Sequence, residues 1–210
     1  MKRILFVYSS NRTPCVEFTQ SLQACVSDGA GVIEQRNTVD LAMARNSALT
    51  SAFQALLTGR HDVVLMVDDD MQWKPQDATR ISDHVRASGH AASAAYVMKD
   101  GRLAAHYVGP RWRCGLGFLA IPATEIKRLS SKSLPYAGAD GASTLEFTRS
   151  GVIERDGRRV WLPEDYCLSE RLGGVDLLPI AVGHVKSVVL SPNESKLASF
   201  ISKSESGVQE

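Results

Sequence analysis

The chain has 210 residues and a mass of 22.8 kDa, the size of one ordinary domain or of one domain with a small subdomain. Hydrophobic residues at 44% and charged residues at 22% exclude a disordered tail, a collagen-like chain and a disulfide-stapled miniprotein. The formal net charge of +1 announces no nucleic-acid or membrane partner, but residues 99–159 hold 11 basic against 6 acidic side chains.

No apolar run approaches the ~18 residues that a membrane-spanning helix needs. Met1 to Tyr8 opens like a signal peptide, but its apolar stretch is short and Ser9-Ser10-Asn11-Arg12 breaks it without a small-residue cleavage site. The four cysteines (Cys15, Cys25, Cys114, Cys167) form no CxxC pair and have no zinc-like spacing, so reduced thiols in the cytoplasm are expected.

In chain order, Ile4–Tyr8 reads as a buried parallel strand. Val16–Val26 carries apolar residues at helical spacing and ends at Asp28-Gly29. Val32–Gln35 is a second strand. Leu41–Leu57 is the clearest helix, with Asp40 as N-cap and Gly59 past its end. His61–Val67 is a buried strand that runs straight into Asp68-Asp69-Asp70. A helix follows over Gln76–Ala87, then strands over Ala91–Met98 and Leu103–Val108 joined by the turn Lys99-Asp100-Gly101. Gly117–Ile121 reads as a strand and Ala123–Leu129 as a helix. Ser150–Leu162 is a hairpin turning at Asp156-Gly157, Glu164–Leu172 a helix and Val175–Val182 a strand. The last ~8 residues of the polar tail read as mobile. Strand–helix alternation first and antiparallel signals later give an α/β fold whose first half binds a nucleotide at the carboxyl ends of its strands.

The triplet 68–70 lies at that edge. In extended chain Asp68 and Asp70 share a side and Asp69 points away. Two carboxylates ~4 Å apart repel by roughly 4 kcal/mol at an effective dielectric of 20, and a Mg²⁺ or Mn²⁺ ion removes the repulsion. The alternative is a solvated acidic loop capping the next helix. Glu164-Asp165 forms a second carboxylate pair after a predicted strand, where it would also complement a helix dipole. His184 follows a strand and either completes an Asp/Asp/His site or is an ordinary satisfied histidine.

These pieces resemble glycosyltransferases of the GT-A fold, particularly the compact family-2-like enzymes of bacteria and phages. The matching segments are Val7-Tyr8-Ser9-Ser10 to Pro14, Ala44-Arg45-Asn46-Ser47-Ala48-Leu49, Val67-Asp68-Asp69-Asp70-Met71 as the DxD motif, Gly115-Leu116-Gly117-Phe118, Pro163-Glu164-Asp165-Tyr166, and His184. They occur in the family's order between Ile4 and Val185. The resemblance implies a Rossmann-like three-layer sandwich with a mixed, mostly parallel sheet and antiparallel additions in the second half. It implies one catalytic domain over 1–190, divided into a nucleotide-sugar half (1–98) and an acceptor and catalytic half (99–190), with a tail over 191–210. Carried over, the donor, a UDP-sugar above others, lies against Tyr8, Ser9, Arg12, Arg45, Asp68, Asp69, Gly115 and Gly117. Mn²⁺ or Mg²⁺ is held by Asp70 with Asp68 and His184. Asp165 is the base that deprotonates an acceptor hydroxyl, with inversion, and Glu164 orients it or binds the acceptor.

The region between Pro122 and Trp161 is the least family-like, and no QxxRW-type processive motif occurs. Arg111, Trp112 and Arg113 are candidate acceptor contacts, whereas Trp161 reads as core. The acceptor is a glycan or a hydroxymethylated DNA base, the latter through phosphate contacts in the basic middle third. A nucleotidyltransferase would show a Gly-rich basic loop after strand one, but Ser9–Pro14 has no glycine. A receiver-like ion-binding module would leave Glu164-Asp165 unexplained, and no GxxxxGK[ST] phosphate loop exists.

Overall fold

The computed structural model describes residues 3–10, 13–27, 29–36, 40–98, 102–108, 110–138, 141–155, 157–185, 189–190, 198 and 201–202. The first half alternates as the apolar runs predict: β1 (Arg3–Ser10), α1 (Val16–Val26), β2 (Gly31–Arg36), α2 (Leu41–Leu56), β3 (His61–Val67), a two-residue β4 (Met71–Gln72), α3 (Pro75–Ser88) and β5 (Ala92–Ala95). There follow β6 (Ala105–Val108), β7 (Arg111–Cys114), β8 (Phe118–Pro122), α4 (Ala123–Ser130), β9 (Pro135–Ala137), β10 (Ser143–Leu145), β11 (Gly151–Arg155), β12 (Arg158–Leu162), α5 (Glu164–Arg171), β13 (Asp176–Ala181), β14 (Gly183–Val185) and β15 (Val189–Leu190).

The central sheet runs β13-β5-β8-β3-β1-β2. β8 alone is antiparallel to its neighbours, pairing Val67 with Phe118 and Val63 with Pro122; the other five strands run one way. β1 and β3 are buried on both faces and therefore read as continuous apolar runs. Their side chains alternate between two cores. Leu5, Val7, Val64 and Met66 meet α2 and α4 through Leu49, Ala52, Ile126 and Leu129, whereas Phe6, Tyr8, Val63 and Leu65 meet α1 and α3 through Phe18, Ile81 and Val85. The result is a three-layer, Rossmann-like α/β sandwich with small antiparallel sheets added in the second half, as expected. The Asp40 Oδ1 accepts from the Met43 N–H at 2.7 Å and starts α2, a cap of the kind whose loss destabilises by ~1 kcal/mol. Gly89 ends α3 in the left-handed region at φ 72°.

Three sequence expectations change. The strand over Ala91–Met98 stops at Ala95, and beyond it only Val97 and Leu103 bridge; the turn at 99–101 lies outside the described residues. β6 pairs instead with β7, a strand hidden because Arg111-Trp112-Arg113 sends only Trp112 and Cys114 inward. Trp161 is 63% exposed rather than core, because β11 and β12 form a two-stranded sheet by themselves. In the tail, Ile201 is buried, while residues 203–210, expected to be mobile, lie outside the described residues. Gly157 takes φ 69° at the β11–β12 turn, with Asp156 outside the described residues. None of the four cysteines forms a disulfide, and no helix among the described residues is long and apolar enough to cross a membrane.

Candidate active site

The carboxyl ends of β1, β3 and β5 and the start of β8 share one edge. There the Asp68 N–H donates to the Gly117 carbonyl at 3.1 Å. The chain does not stay extended through the acidic triplet. The Met71 N–H bonds back to the Asp68 carbonyl at 3.2 Å, so 68–71 is a turn, and strand alternation does not set the directions of its side chains. Each acid has its own neighbour. Asp68 Oδ1 lies 3.3 Å from Arg45 Nη2, Asp69 Oδ2 accepts from the Ser10 hydroxyl at 2.6 Å, and Asp70 Oδ1 lies 3.5 Å from His184 Nε2.

Arg45 is the hub of the site. It sits on the buried side of α2, among Ala44, Ala48 and Leu49, and its other nitrogen reaches Glu164 Oε1 at 2.5 Å. Burial works against its charge, but the carboxylates of Asp68, Glu164 and Asp165 outweigh that effect and hold the guanidinium more firmly protonated than usual. Asp165 shows the opposite balance. Burial first and Glu164 second push its carboxyl up to about 6, with Arg45 only partly opposing them. Its Oδ1 accepts from the Tyr166 N–H at 2.7 Å.

The first turn of α5 is held by a contact absent from the sequence-level site. Asn46 donates to the Thr148 carbonyl and accepts from the Thr148 N–H, both at 2.8 Å, and the Thr148 hydroxyl donates to the Glu164 carbonyl. The signal was a polar pair, Arg45-Asn46, on an otherwise apolar helix face; buried polar groups need partners.

His184 reaches the edge on β14, which pairs antiparallel with β4 so that His184 stands opposite Met71. Its Nδ1 lies 3.1 Å from the Val97 carbonyl. A carbonyl can only accept, so Nδ1 carries a proton and Nε2 is the nitrogen that faces Asp70. Carboxylate and imidazole donors are of the kind that Mn²⁺ or Mg²⁺ takes; of the three expected ligands, Asp70 and His184 are adjacent, whereas Asp68 is directed to Arg45. Among the described residues no group of three His, Cys, Asp or Glu side chains converges.

Gly115 and Gly117 make room for a side chain. A Cβ on Gly115 would stand 2.2 Å from the Tyr96 hydroxyl, and one on Gly117 2.8 Å from its ring. The Gly117 N–H donates to that hydroxyl at 3.1 Å. The glycines thus form a socket for Tyr96, a residue the sequence reading missed although an aromatic group follows the alanine-rich strand β5. Tyr8, Ser9, Arg45 and Asp68 line one small recess with Leu116; burial first, then Glu34, pushes the Tyr8 phenol up to about 12. Arg12 lies outside the described residues.

The acceptor candidates divide. Trp112 is 2% exposed, with its ring edge against Tyr107, and belongs to the core, so it has no open face on which a ligand could stack. Arg113 pairs with Glu170, as does Arg155, and Arg111 lies 3.8 Å from Asp176. Both arginines are engaged away from the triplet. A cavity of 580 Å³ between α1, α3 and β1 is lined by none of the site residues above.

No family model matches the chain, and no curated protein matches it. Among solved structures, it is similar to A197 from STIV, with 14% identity over 74% of this chain and 100% of that one at a TM-score of 0.47. A glycosyltransferase involved in the glycosylation of the major capsid of PBCV-1 shares 9% identity over 60% of this chain and 62% of that one, at a TM-score of 0.40. The 4-diphosphocytidyl-2C-methyl-D-erythritolsynthase from Anaerococcus prevotii DSM 20548 shares 8% over 100% and 97%, at 0.42.

Proposed function

We propose that the chain is a metal-dependent glycosyltransferase that moves a sugar from a nucleoside diphosphate donor, a UDP-sugar above others, to an acceptor hydroxyl with inversion. The observation that carries this reading is the Arg45 bridge. It draws Asp68, at the end of β3, and Glu164, at the head of α5, to one guanidinium, and so brings the nucleotide-binding edge and the candidate base into one cluster.

In this reading Asp165 accepts the proton of the acceptor hydroxyl as its oxygen attacks the anomeric carbon and the bond to the diphosphate breaks on the opposite side. A carboxyl pushed up to about 6 by burial and Glu164 is ionised at neutral pH yet basic enough to take a proton, the compromise expected of a general base. Glu164, tied to Arg45, keeps the head of α5 in place, and Asp68 and Ser9 line the donor recess. Asp70 and His184 would hold Mn²⁺ or Mg²⁺, whose chemistry is to offset charge on the departing diphosphate. The acceptor is a glycan or a hydroxymethylated DNA base, and the compartment the cytoplasm.

The test is a panel of nucleotide sugars incubated with the protein and Mn²⁺, read by mass spectrometry for transferred or hydrolysed sugar. Asp165→Asn should abolish transfer while donor binding persists. Undiminished transfer by that variant would overturn the role of the base, and a panel with no turnover or binding would overturn the reading as a whole.

A further inference from the structure

Tyr96 stands between the two halves of the site and was assigned no role by the sequence. It follows β5 directly and is 7% exposed. Its ring meets the His184 ring edge-on, with centroids 5.8 Å apart and an interplanar angle of 78°. Its hydroxyl reaches the glycine turn, where it accepts the Gly117 N–H at 3.1 Å. Two glycines are needed for that reach, since a Cβ at Gly115 would stand 2.2 Å from the hydroxyl and one at Gly117 2.8 Å from the ring. A phenylalanine would fill most of the same socket, so the hydroxyl is the feature that needs explaining.

A phenol has one proton to donate as well as lone pairs to accept with. The acceptor side is satisfied by Gly117. The proton has no acceptor among the described residues, in a group buried enough for an unmade hydrogen bond to be costly. An ordinary phenol is neutral near pH 7, so the proton is there to be given.

We infer that the Tyr96 hydroxyl is a donor-recognition group, which gives its unclaimed proton to a hydroxyl oxygen of the sugar carried by the nucleotide. The inference rests on the glycosyltransferase reading. A sugar hydroxyl is favoured over a phosphate oxygen because the glycine that holds the Tyr96 hydroxyl is bonded on its other side to Asp68. The nearby Asp68 carboxylate is already matched by Arg45, so this corner of the site offers a neutral oxygen a partner without offering an anion a free cation. The metal pair Asp70 and His184 lies on the ring side of Tyr96 and the hydroxyl on the glycine side, which separates a place for the diphosphate from a place for the sugar.

The experiment compares wild type and Tyr96→Phe by titration calorimetry with Mn²⁺ present, using UDP against UDP-glucose and GDP against GDP-mannose. The loss of one hydrogen bond to the sugar should weaken the nucleotide sugar by about tenfold and leave the bare diphosphate within about twofold. Equal weakening of both ligands would place the contact on phosphate and overturn the inference. No weakening of either would reduce the hydroxyl to packing and also overturn it. A wild type that binds no pair overturns the glycosyltransferase reading, and this inference with it.

A second measurement checks the socket independently of any ligand. Gly115→Ala should lower the melting temperature, and adding Tyr96→Phe should restore part of the loss, because the nearest remaining ring atom is 3.2 Å from the new Cβ. A double variant no more stable than Gly115→Ala alone would show that the hydroxyl does not fill that space, and the inference would fail.

Discussion

Arg45 and Glu164 are 119 positions apart in sequence and 2.5 Å apart in the fold. The pair fastens the first turn of α5, which carries Asp165, to α2 and to the edge that carries Asp68. It is nearly dry on the arginine side, where the side chain is 7% exposed. Two carboxylates on one guanidinium make this a charge-balanced cluster rather than a simple pair, so its members do not act independently.

Removing the cation should therefore do more harm than removing either anion. Arg45→Met leaves Glu164 and Asp68 facing each other without a counter-charge, and breaking a buried pair in this way destabilises by about 3–5 kcal/mol. Arg45→Lys keeps the charge but not the fork that reaches two acids, and should lose a smaller part of that. Chemical denaturation of both variants at pH 7.5 checks the order. Equal stability of Arg45→Met and wild type would show that the bridge contributes nothing.

The raised carboxyl of Asp165 makes stability depend on pH in a direction opposite to the usual acid. Its folded value of about 6 lies above the ordinary 3.8, so the native state binds the proton more tightly than the unfolded chain. The resulting penalty is fully present above pH 6 and is relieved as the pH falls from 6 to 4. Asp165→Asn removes it and should gain about 2 kcal/mol at pH 7.5, a value discounted for the part of the side chain still in contact with water, with the gain vanishing near pH 4. Denaturant midpoints of the two proteins across that range test this. A variant less stable than wild type at pH 7.5 would contradict the assignment. In transfer assays the same group predicts an acid limb near pH 6.

Asn46 is the test of polar satisfaction in the core. Asn46→Asp keeps the shape and can still accept from the Thr148 N–H, but it cannot donate to the Thr148 carbonyl. It turns a 2.8 Å hydrogen bond into a repulsion and adds a buried charge. The loss should be about 2–3 kcal/mol, with Asn46→Ala nearer 1–2. Thermal unfolding in which both variants match wild type would show that the Thr148 strap is not needed to hold α5.

Much of this architecture is visible in the sequence because the signals are local. His61–Val67 and Val16–Val26 are found with the boundaries that their apolar patterns imply, and Asp40 and Gly89 cap their helices as their residue types suggest. The elements that escape are those whose reason lies elsewhere in the chain. β4 and β14 are too short to carry a pattern and exist through each other. Trp112 is drawn inward by Val175, which bridges to it, while its arginine neighbours advertise a surface. For the site, position alone singled out the acids 68–70, 164 and 165. Which acid meets which partner depended on a turn at 68–71 and on contacts 23 to 119 residues apart, and periodicity does not reach across such distances.

Asp70 and His184, the pair proposed to hold the metal, allow binding to be separated from folding. Asp70 and His184 stand 3.5 Å apart, and the Nδ1 proton of His184 is anchored on Val97, so the imidazole is oriented before any ion arrives. Asp70→Asn keeps the volume and removes the charge that an ion needs. It should abolish the Mn²⁺-dependent part of nucleotide affinity, a loss of at least about tenfold, while leaving the melting temperature of the metal-free protein unchanged or slightly raised. His184→Gln should weaken Mn²⁺ dependence similarly but also lose the Val97 contact, and so show a lower melting temperature without metal. Calorimetric titration of UDP with and without Mn²⁺, beside melting curves in chelator, distinguishes the two outcomes. If Asp70→Asn retained full Mn²⁺-dependent affinity, the ion would have to be held without Asp70, and the pair would be a structural contact between β14 and the turn that follows β3.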